Sequence, residues 1–279
     1  MVDLNFRPRP GTPSLHLDTD ELARDYDSIS ATRQFEFGKQ LVAALNLRTG
    51  ERVLDIGCGT GMLTHHIAEA IGPTGRVLGI DPLPSRIHIA HGRARNRSNI
   101  AFEVSDVYDL AHHRDQSYDV IVCNSVFHWL PDKTMPLLSF WRTLRPAGRI
   151  GISVVAKGPR TICQETVAAV LSEPPFDHYP RERDSITFKI DGEEMRALFE
   201  TTGFAPALIE EQPMEENHPS AEQAVRFLEA SSFGNFLGHL PKDLVYRARV
   251  TILRRLAAIA TDRGIVQPRD RLVAIAHRQ

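Results

Sequence analysis

Five short apolar runs in the first part of this chain constrain its fold more than any other feature. They are RVLDIG (52–57), RVLGID (76–81), IAFEVSD (100–106), YDVIVCN (118–124) and GRIGISVVA (148–156). All are rich in β-branched residues and apolar throughout instead of alternating, the pattern of strands buried on both faces. Stretches with helical periodicity separate them: Met62–Ile71, Ser85–Arg95 and Asp132–Leu144, the last opening on Asp132 as an N-cap. Buried strands alternating with helices specify an α/β fold with a parallel sheet covered on both sides. Ligands of such sheets bind beyond the carboxyl ends of the strands. Asp55, Asp81, Asp106 and Asn124 all fall at or near those ends.

The flanking segments read differently. The first twenty or so residues form a proline-containing arm, and Asp20–Leu45 reads as one or two helices. Past the fifth strand, 161–171 and 191–204 are helical, 205–211 reads as a strand, 219–264 is mostly helical, and 270–279 reads as a final strand. The expected division is therefore an arm with cap helices (1–50), a core (51–212 with 270–279), and a helical insertion or lid at 213–269. A length of 279 residues suits one large domain with such an appendage. A net charge of −2 gives no broad drive toward nucleic acid or an anionic membrane, so neither is an expected partner. The three cysteines, Cys58, Cys123 and Cys163, are odd in number and far apart, which suits neither a disulfide framework nor a metal site. No apolar run reaches membrane-spanning length and the N-terminus lacks the apolar core of a signal peptide, so a cytoplasmic location is expected.

The stretch VLDIGCGTGMLTHH (53–66) places Gly57, Gly59 and Gly61 at alternate positions after a strand. A dinucleotide fingerprint wants its third glycine at position 62, which is Met62, and a P-loop wants a lysine that 53–66 does not contain. Two readings stay open: a loop against which S-adenosylmethionine lies, with Asp55 offering a carboxylate, or a tight turn that holds nothing. VLDIGCGTG (53–61) resembles motif I of class I S-adenosylmethionine-dependent methyltransferases, and the resemblance continues through GRVLGIDPLPSRIHIAHGRA, EVSDVYDL (103–110), DVIVCNSVFHWLPD (119–132) and LRPAGRIGIS (144–153). It implies a Rossmann-like sheet, mostly parallel with an antiparallel last strand, and S-adenosylmethionine as the cofactor. It also implies residue roles. Gly57, Cys58, Gly59 and Gly61 form the cofactor loop, and Asp81 holds the ribose hydroxyls. Pro82 and Leu83 flank the adenine, Asp106 accepts its amino group beside Val107, and Asn124 with Ser125 faces the cofactor. Asp106 and Asn124 are equally residues that cap helices.

The methyl acceptor is less legible. The chain has Asn124-Ser125-Val126-Phe127 where methyltransferases of exocyclic or glutamine nitrogens often carry [DNS]-P-P-[YFW]. NSVFHWLPD is instead similar to the corresponding segment of the ubiquinone-type and trans-aconitate-type enzymes, which implies a small organic acceptor with an oxygen, sulfur or carbon nucleophile. His128 is either a general base or a histidine that fixes the loop by a hydrogen bond. Tyr26, Arg33, Trp129, Phe233 and Phe236 are candidate substrate contacts, with Gln34 beside Arg33 and a packing role for Trp129 as the alternative. Widely placed cysteines disfavour arsenite as acceptor. The alternatives are methylation of tRNA or of a protein side chain, kept open by HGRARNRSN (91–99), and a protein that binds the cofactor without turnover. A homodimer is admitted.

Overall fold

The computed structural model describes residues 19–95, 97–113, 115–180, 187–231 and 236–279. Its centre is a seven-stranded sheet of β1 (Arg52–Ile56), β2 (Arg76–Asp81), β3 (Ile100–Val104), β4 (Tyr118–Asn124), β5 (Leu144–Val155), β6 (Phe204–His218) and β7 (Ile265–Arg278). The order is β3-β2-β1-β4-β5-β7-β6, and β7 runs antiparallel to both of its neighbours while the first five strands are parallel. The five apolar runs are thus the parallel strands, and the antiparallel last strand is where the resemblance put it. Chain order reverses between β1 and β4, and a crevice opens at such a switch point.

Helices α3 (Met62–Ala70), α4 (Pro84–Arg93), α5 (Thr134–Thr143) and α7 (Gly192–Thr201) follow strands or precede them and cover the sheet. Asp132 does serve the start of α5, its carboxylate accepting from the N–H groups of Thr134 and Met135. On one face Phe127, Phe140 and Phe199 are fully buried among Leu54, Ile121 and Ile152. Truncating Phe199 to alanine removes a ring from this well-filled space and should cost about 3–5 kcal/mol, read as a lower urea midpoint with an unchanged slope.

Two boundaries differ from the sequence reading. The β6–β7 ladder extends from Phe204↔Arg278 to His218↔Ile265, well beyond 205–211 and 270–279. The extra strand residues, such as the exposed Gln212 and Glu215, break the apolar pattern because β6 is an edge strand, where polar and charged side chains guard against foreign pairing. The helical layer also begins earlier than position 213. Helix α6 (Ile162–Leu171) shares one core with α8 (Ala221–Ser231) and α9 (Lys242–Ile259), built from Cys163, Val167, Ala224, Ala248 and Ile252. Helix α6 is half of a pair that only the later helices complete. At the N-terminus, α1 (Asp20–Asp25), a π-helical turn (Tyr26–Ser30) and α2 (Ala31–Leu45) form one continuous helical segment. Among the described residues, no helix is long and apolar enough to cross a membrane.

Candidate functional site

The chain leaves β1 into a loop whose glycines are all left-handed, with φ of 65° at Gly57, 56° at Gly59 and 82° at Gly61. A Cβ at Gly57 would strike the Val126 side chain, and one at Gly61 would lie 2.7 Å from the Phe102 ring. A Cβ at Gly59 would sit 3.0 Å from the Tyr26 hydroxyl. The glycines are therefore required by backbone conformation and by the protein's own side chains. The surface open to the cleft lies on Gly57, Cys58 and Thr60 of the loop and at the neighbouring strand ends.

Asp81 ends β2, is 3% exposed, and holds the loop: its carboxylate accepts from the Gly59 N–H and the Leu83 N–H, both at 3.0 Å. Above it opens a cleft with two lobes that share Tyr26, Gln34, Gly57 and Asn124. The larger lobe, about 890 Å³ counted to its mouth, has Asp81, Pro82, Asp106 and Val107 along one side. Asn124, Ser125, Val126, Trp129 and Leu130 form its other side, and Ser231 at the end of α8 also lines it. The smaller lobe, about 350 Å³, is lined by Asp55, Cys58, Thr60 and Met62 beneath Ala31 and Phe35.

The polar groups around the cleft are set for a ligand. Asn124 donates from Nδ2 to the Gln34 carbonyl at 2.9 Å, while its Oδ1 is buried with no hydrogen-bond partner. An orphaned buried acceptor costs stability unless a donor arrives. Ser125 has a φ of 61°, a rarely adopted conformation for a side-chain-bearing residue, at the point where β4 meets the cleft. Asp55 accepts from the Thr64 hydroxyl at 2.6 Å, yet burial raises its carboxyl to about 7, with the Asp81 charge adding to the rise. Tyr26 lies under the Arg86 guanidinium, 3.7 Å from the ring centroid, and burial pushes its hydroxyl up to about 12. It is a donor at neutral pH, and it donates to Gln34 Oε1 at 2.5 Å.

The N-terminal segment is clasped over the loop. Arg93 on α4 forms a two-pronged pair with Asp27 at 2.6 and 2.8 Å and also donates to the Thr60 carbonyl at 2.8 Å. The Thr60 hydroxyl in turn donates to Asp27 at 2.5 Å. Arg93→Ala should leave Asp27 poorly paired and loosen Tyr26 and Gln34 over the cleft. We expect cofactor affinity to fall about tenfold with a loss of only about 1 kcal/mol in unfolding free energy, measured by calorimetry and urea titration.

The structure brings Asp55, Gly57, Cys58, Asp81, Pro82, Asp106, Val107, Asn124, Ser125, Tyr26 and Trp129 to the cleft. Other expected residues go elsewhere. Gly59 and Gly61 shape the loop without lining the cleft. The Leu83 side chain is buried at 2% exposure, because its extended backbone starts α4 and turns it into the interior. Phe236 packs in the core of the helical layer, and Phe233 lies outside the described residues. Arg33 sits behind Gln34, paired with Glu216. His128 does not line the cleft, and burial with nearby Lys189, Lys133 and Arg269 lowers its pKa to about 3. An imidazole so weakly basic is a poor proton acceptor at neutral pH, so the structure speaks against a general-base role. Arg86, Ser105, Tyr108 and Leu130 also line the cleft; they lie inside the motif segments, which gave them no role, and Ser231, on α8 outside those segments, is marked only by its tertiary placement. Apart from the cleft, Glu103, His112 and His113 bring three potential ligand atoms within 4.8 Å of one another, with no sequence spacing that announces them.

Comparison with known proteins agrees with this geometry. The family described as "Methyltransferase domain" matches residues 47–202. The chain is 34% identical over 132 residues to phosphoethanolamine N-methyltransferase 1 of Arabidopsis thaliana, covering 47% of this chain and 26% of that protein. It is 34% identical over 118 residues to trans-aconitate 2-methyltransferase of Deinococcus radiodurans, covering 42% and 43% respectively. The chain thus spans less than half the length of these two relatives. The YcgJ protein of Bacillus subtilis shares the fold, with a TM-score of 0.60 at 19% identity over 87% of this chain and 97% of that one. Because the family match covers more than half of the chain, including the strands and loops that carry the cleft, this protein belongs to the class I S-adenosylmethionine-dependent methyltransferases.

Proposed function

We propose that this chain methylates an oxygen, sulfur or carbon nucleophile of a small organic molecule. The observation that carries the reading is the enclosure of the cleft. Tyr26 and Gln34 roof it, Ser231 reaches it from α8, and Ile56, Ile80, Val107, Val126, Trp129 and Leu130 give it mostly apolar walls. A pocket of this kind sheds water and admits a metabolite, whereas a polymer needs an open groove.

The residues present fit the cofactor. Asp81 offers carboxylate lone pairs to the vicinal ribose hydroxyls, and Pro82 and Val107 give apolar surface for the adenine, with Asp106 as acceptor for its amino group. Asp55 and the unpartnered Oδ1 of Asn124 are acceptors for the ammonium of the methionine end. When bound, the cofactor supplies an electrophilic sulfonium methyl. The protein then has to hold the acceptor in line with it and keep water out. Trp129 and Leu130, next to Asn124 and Ser125 along the wall, are placed to position that acceptor.

Two alternatives lose support. The Arg-rich stretch 91–99 is not a free basic patch, since Arg93 is paired with Asp27 and Arg97 with Glu69. The cysteines occupy three separate hydrophobic clusters, and burial raises all three thiols, which does not favour a soft-metalloid trio. Incubation with a methyl-labelled donor and a size-fractionated cell extract should place label in the metabolite fraction. Label confined to RNA or protein would overturn the small-molecule reading, and cofactor binding with no transfer to any fraction would favour a non-catalytic binder.

A further inference from the structure

Next to the cleft the structure gathers positive charge that the carboxylates among the described residues do not balance. Arg33 comes from α2, Lys189 from the segment before α7, and Arg269 from β7. Glu216 on β6, 4% exposed, is the carboxylate they share. Its Oε2 lies 3.5 Å from Arg33 and 3.0 Å from Arg269, while its Oε1 meets His218 at 2.6 Å and accepts from Gln267 at 2.7 Å. Both oxygens are thus occupied by neighbours. Lys189 is half-buried and has neither a hydrogen bond nor an ion pair among the described residues. His128 sits beside this group, and its Nδ1 is buried without a hydrogen-bond partner.

Three cations against one carboxylate is an expensive arrangement to enclose, because a buried charge is tolerated only when paired and hydrogen-bonded. A purely structural account covers part of it. Arg33 donates to the Asn217 carbonyl at 2.9 Å and, with Glu216, ties α2 to the β6–β7 ladder. That account gives nothing for Lys189 or His128 to do. The location supplies a use. Gln34 and Trp129, the chain neighbours of Arg33 and His128, both line the larger lobe. The Phe188 N–H donates to the His128 carbonyl at 2.7 Å, which pins the Lys189 segment to the same turn.

We propose that Arg33, Lys189 and Arg269, with His128, form a subsite for an oxyanion of the methyl acceptor, so that the acceptor is a small molecule carrying a carboxylate or a phosphate. Guanidinium forks suit the planar or tetrahedral oxygens of such a group, and Lys189 supplies a charge that has no direct ion-pair partner among the described residues. This inference rests on the small-molecule reading above.

The test uses the full chain loaded with S-adenosylhomocysteine, titrated by calorimetry with inorganic phosphate, with succinate, and with succinamide as the neutral match. We expect saturable binding of at least one anion and none of succinamide. Preference between phosphate and succinate then identifies the class of oxyanion. Lys189→Gln should weaken the anion at least about tenfold while leaving S-adenosylhomocysteine affinity unchanged, which shows that the variant is folded. Lys39→Gln, an exposed lysine paired with Glu36, should change nothing and so excludes a general charge effect. Absence of saturable anion binding, or equal binding by the Lys189→Gln protein, would overturn the proposal. If S-adenosylhomocysteine itself does not bind, the functional reading fails, and the same titrations on the unloaded protein still decide the anion subsite.

Discussion

Asp81→Asn should weaken S-adenosylmethionine binding about a hundredfold, or ~3 kcal/mol, measured by calorimetry at neutral pH. The carboxylate closes β2 at 3% exposure, so hydrogen bonds to it form in a poorly hydrated place. Accepting from two ribose hydroxyls with a charged acceptor is worth more than a neutral contact. The amide puts an NH₂ group where one of those hydroxyls, or the N–H of Gly59 or Leu83, needs an acceptor. Asn is the better probe than Ala, because alanine would leave both backbone donors unpaired and shift the loop itself. Unchanged affinity would remove Asp81 from the cofactor site.

A second large effect should come from pH. Asp55 in the unliganded protein has its carboxyl raised from 3.8 to about 7, chiefly by burial. A raised carboxyl binds protons more tightly in the folded state than in the unfolded chain. Its contribution to stability is therefore complete at low pH and declines as the pH climbs from about 4 to about 7. The cationic methionine end of the cofactor has the opposite preference, since it is attracted to the ionised form. Affinity should rise by up to about tenfold per pH unit below pH 7 and level off above it. Binding at pH 6 should release a proton, seen as a dependence of the calorimetric heat on the buffer's ionisation enthalpy. In Asp55→Asn both the slope and the proton release should disappear. A pH-independent affinity in the unmodified protein would show that Asp55 does not face the cofactor's charge.

The two predictions concern residues that the sequence had already singled out, and the reason is local. A carboxylate in the last two residues of an apolar strand, as Asp55 is in β1 and Asp81 in β2, stands at the carboxyl edge of a parallel sheet whatever the rest of the chain does. Legibility falls off where position depends on distant contacts. His128 and Trp129 are adjacent, yet the short 3₁₀ turn Phe127–Trp129 puts Trp129 on the cleft wall and leaves His128 out of its lining. Nothing in their order or residue type decides which goes where. The late strands were under-read for a related reason. Residues 212–218 carry an edge strand's charges, and their strand character comes from pairing with 265–271.

Side-chain period and strand-end position, which act over a few residues, determined the parallel sheet and put Asp55, Asp81, Asp106 and Asn124 at or near its strand ends, while the antiparallel close and the cofactor came from the resemblance of the motifs. The tertiary structure decided what presses on the glycine loop: Val126, Phe102 and Tyr26, which belong to three other segments. It also decided that the helix from Asp20 to Leu45 roofs the cleft, through the Asp27–Arg93–Thr60 clasp. Finally, it drew residues 33, 128, 189, 216 and 269 into one charged cluster. Those residues are separated by up to most of the chain, and only packing of the N-terminal helix against the β6–β7 ladder makes them neighbours.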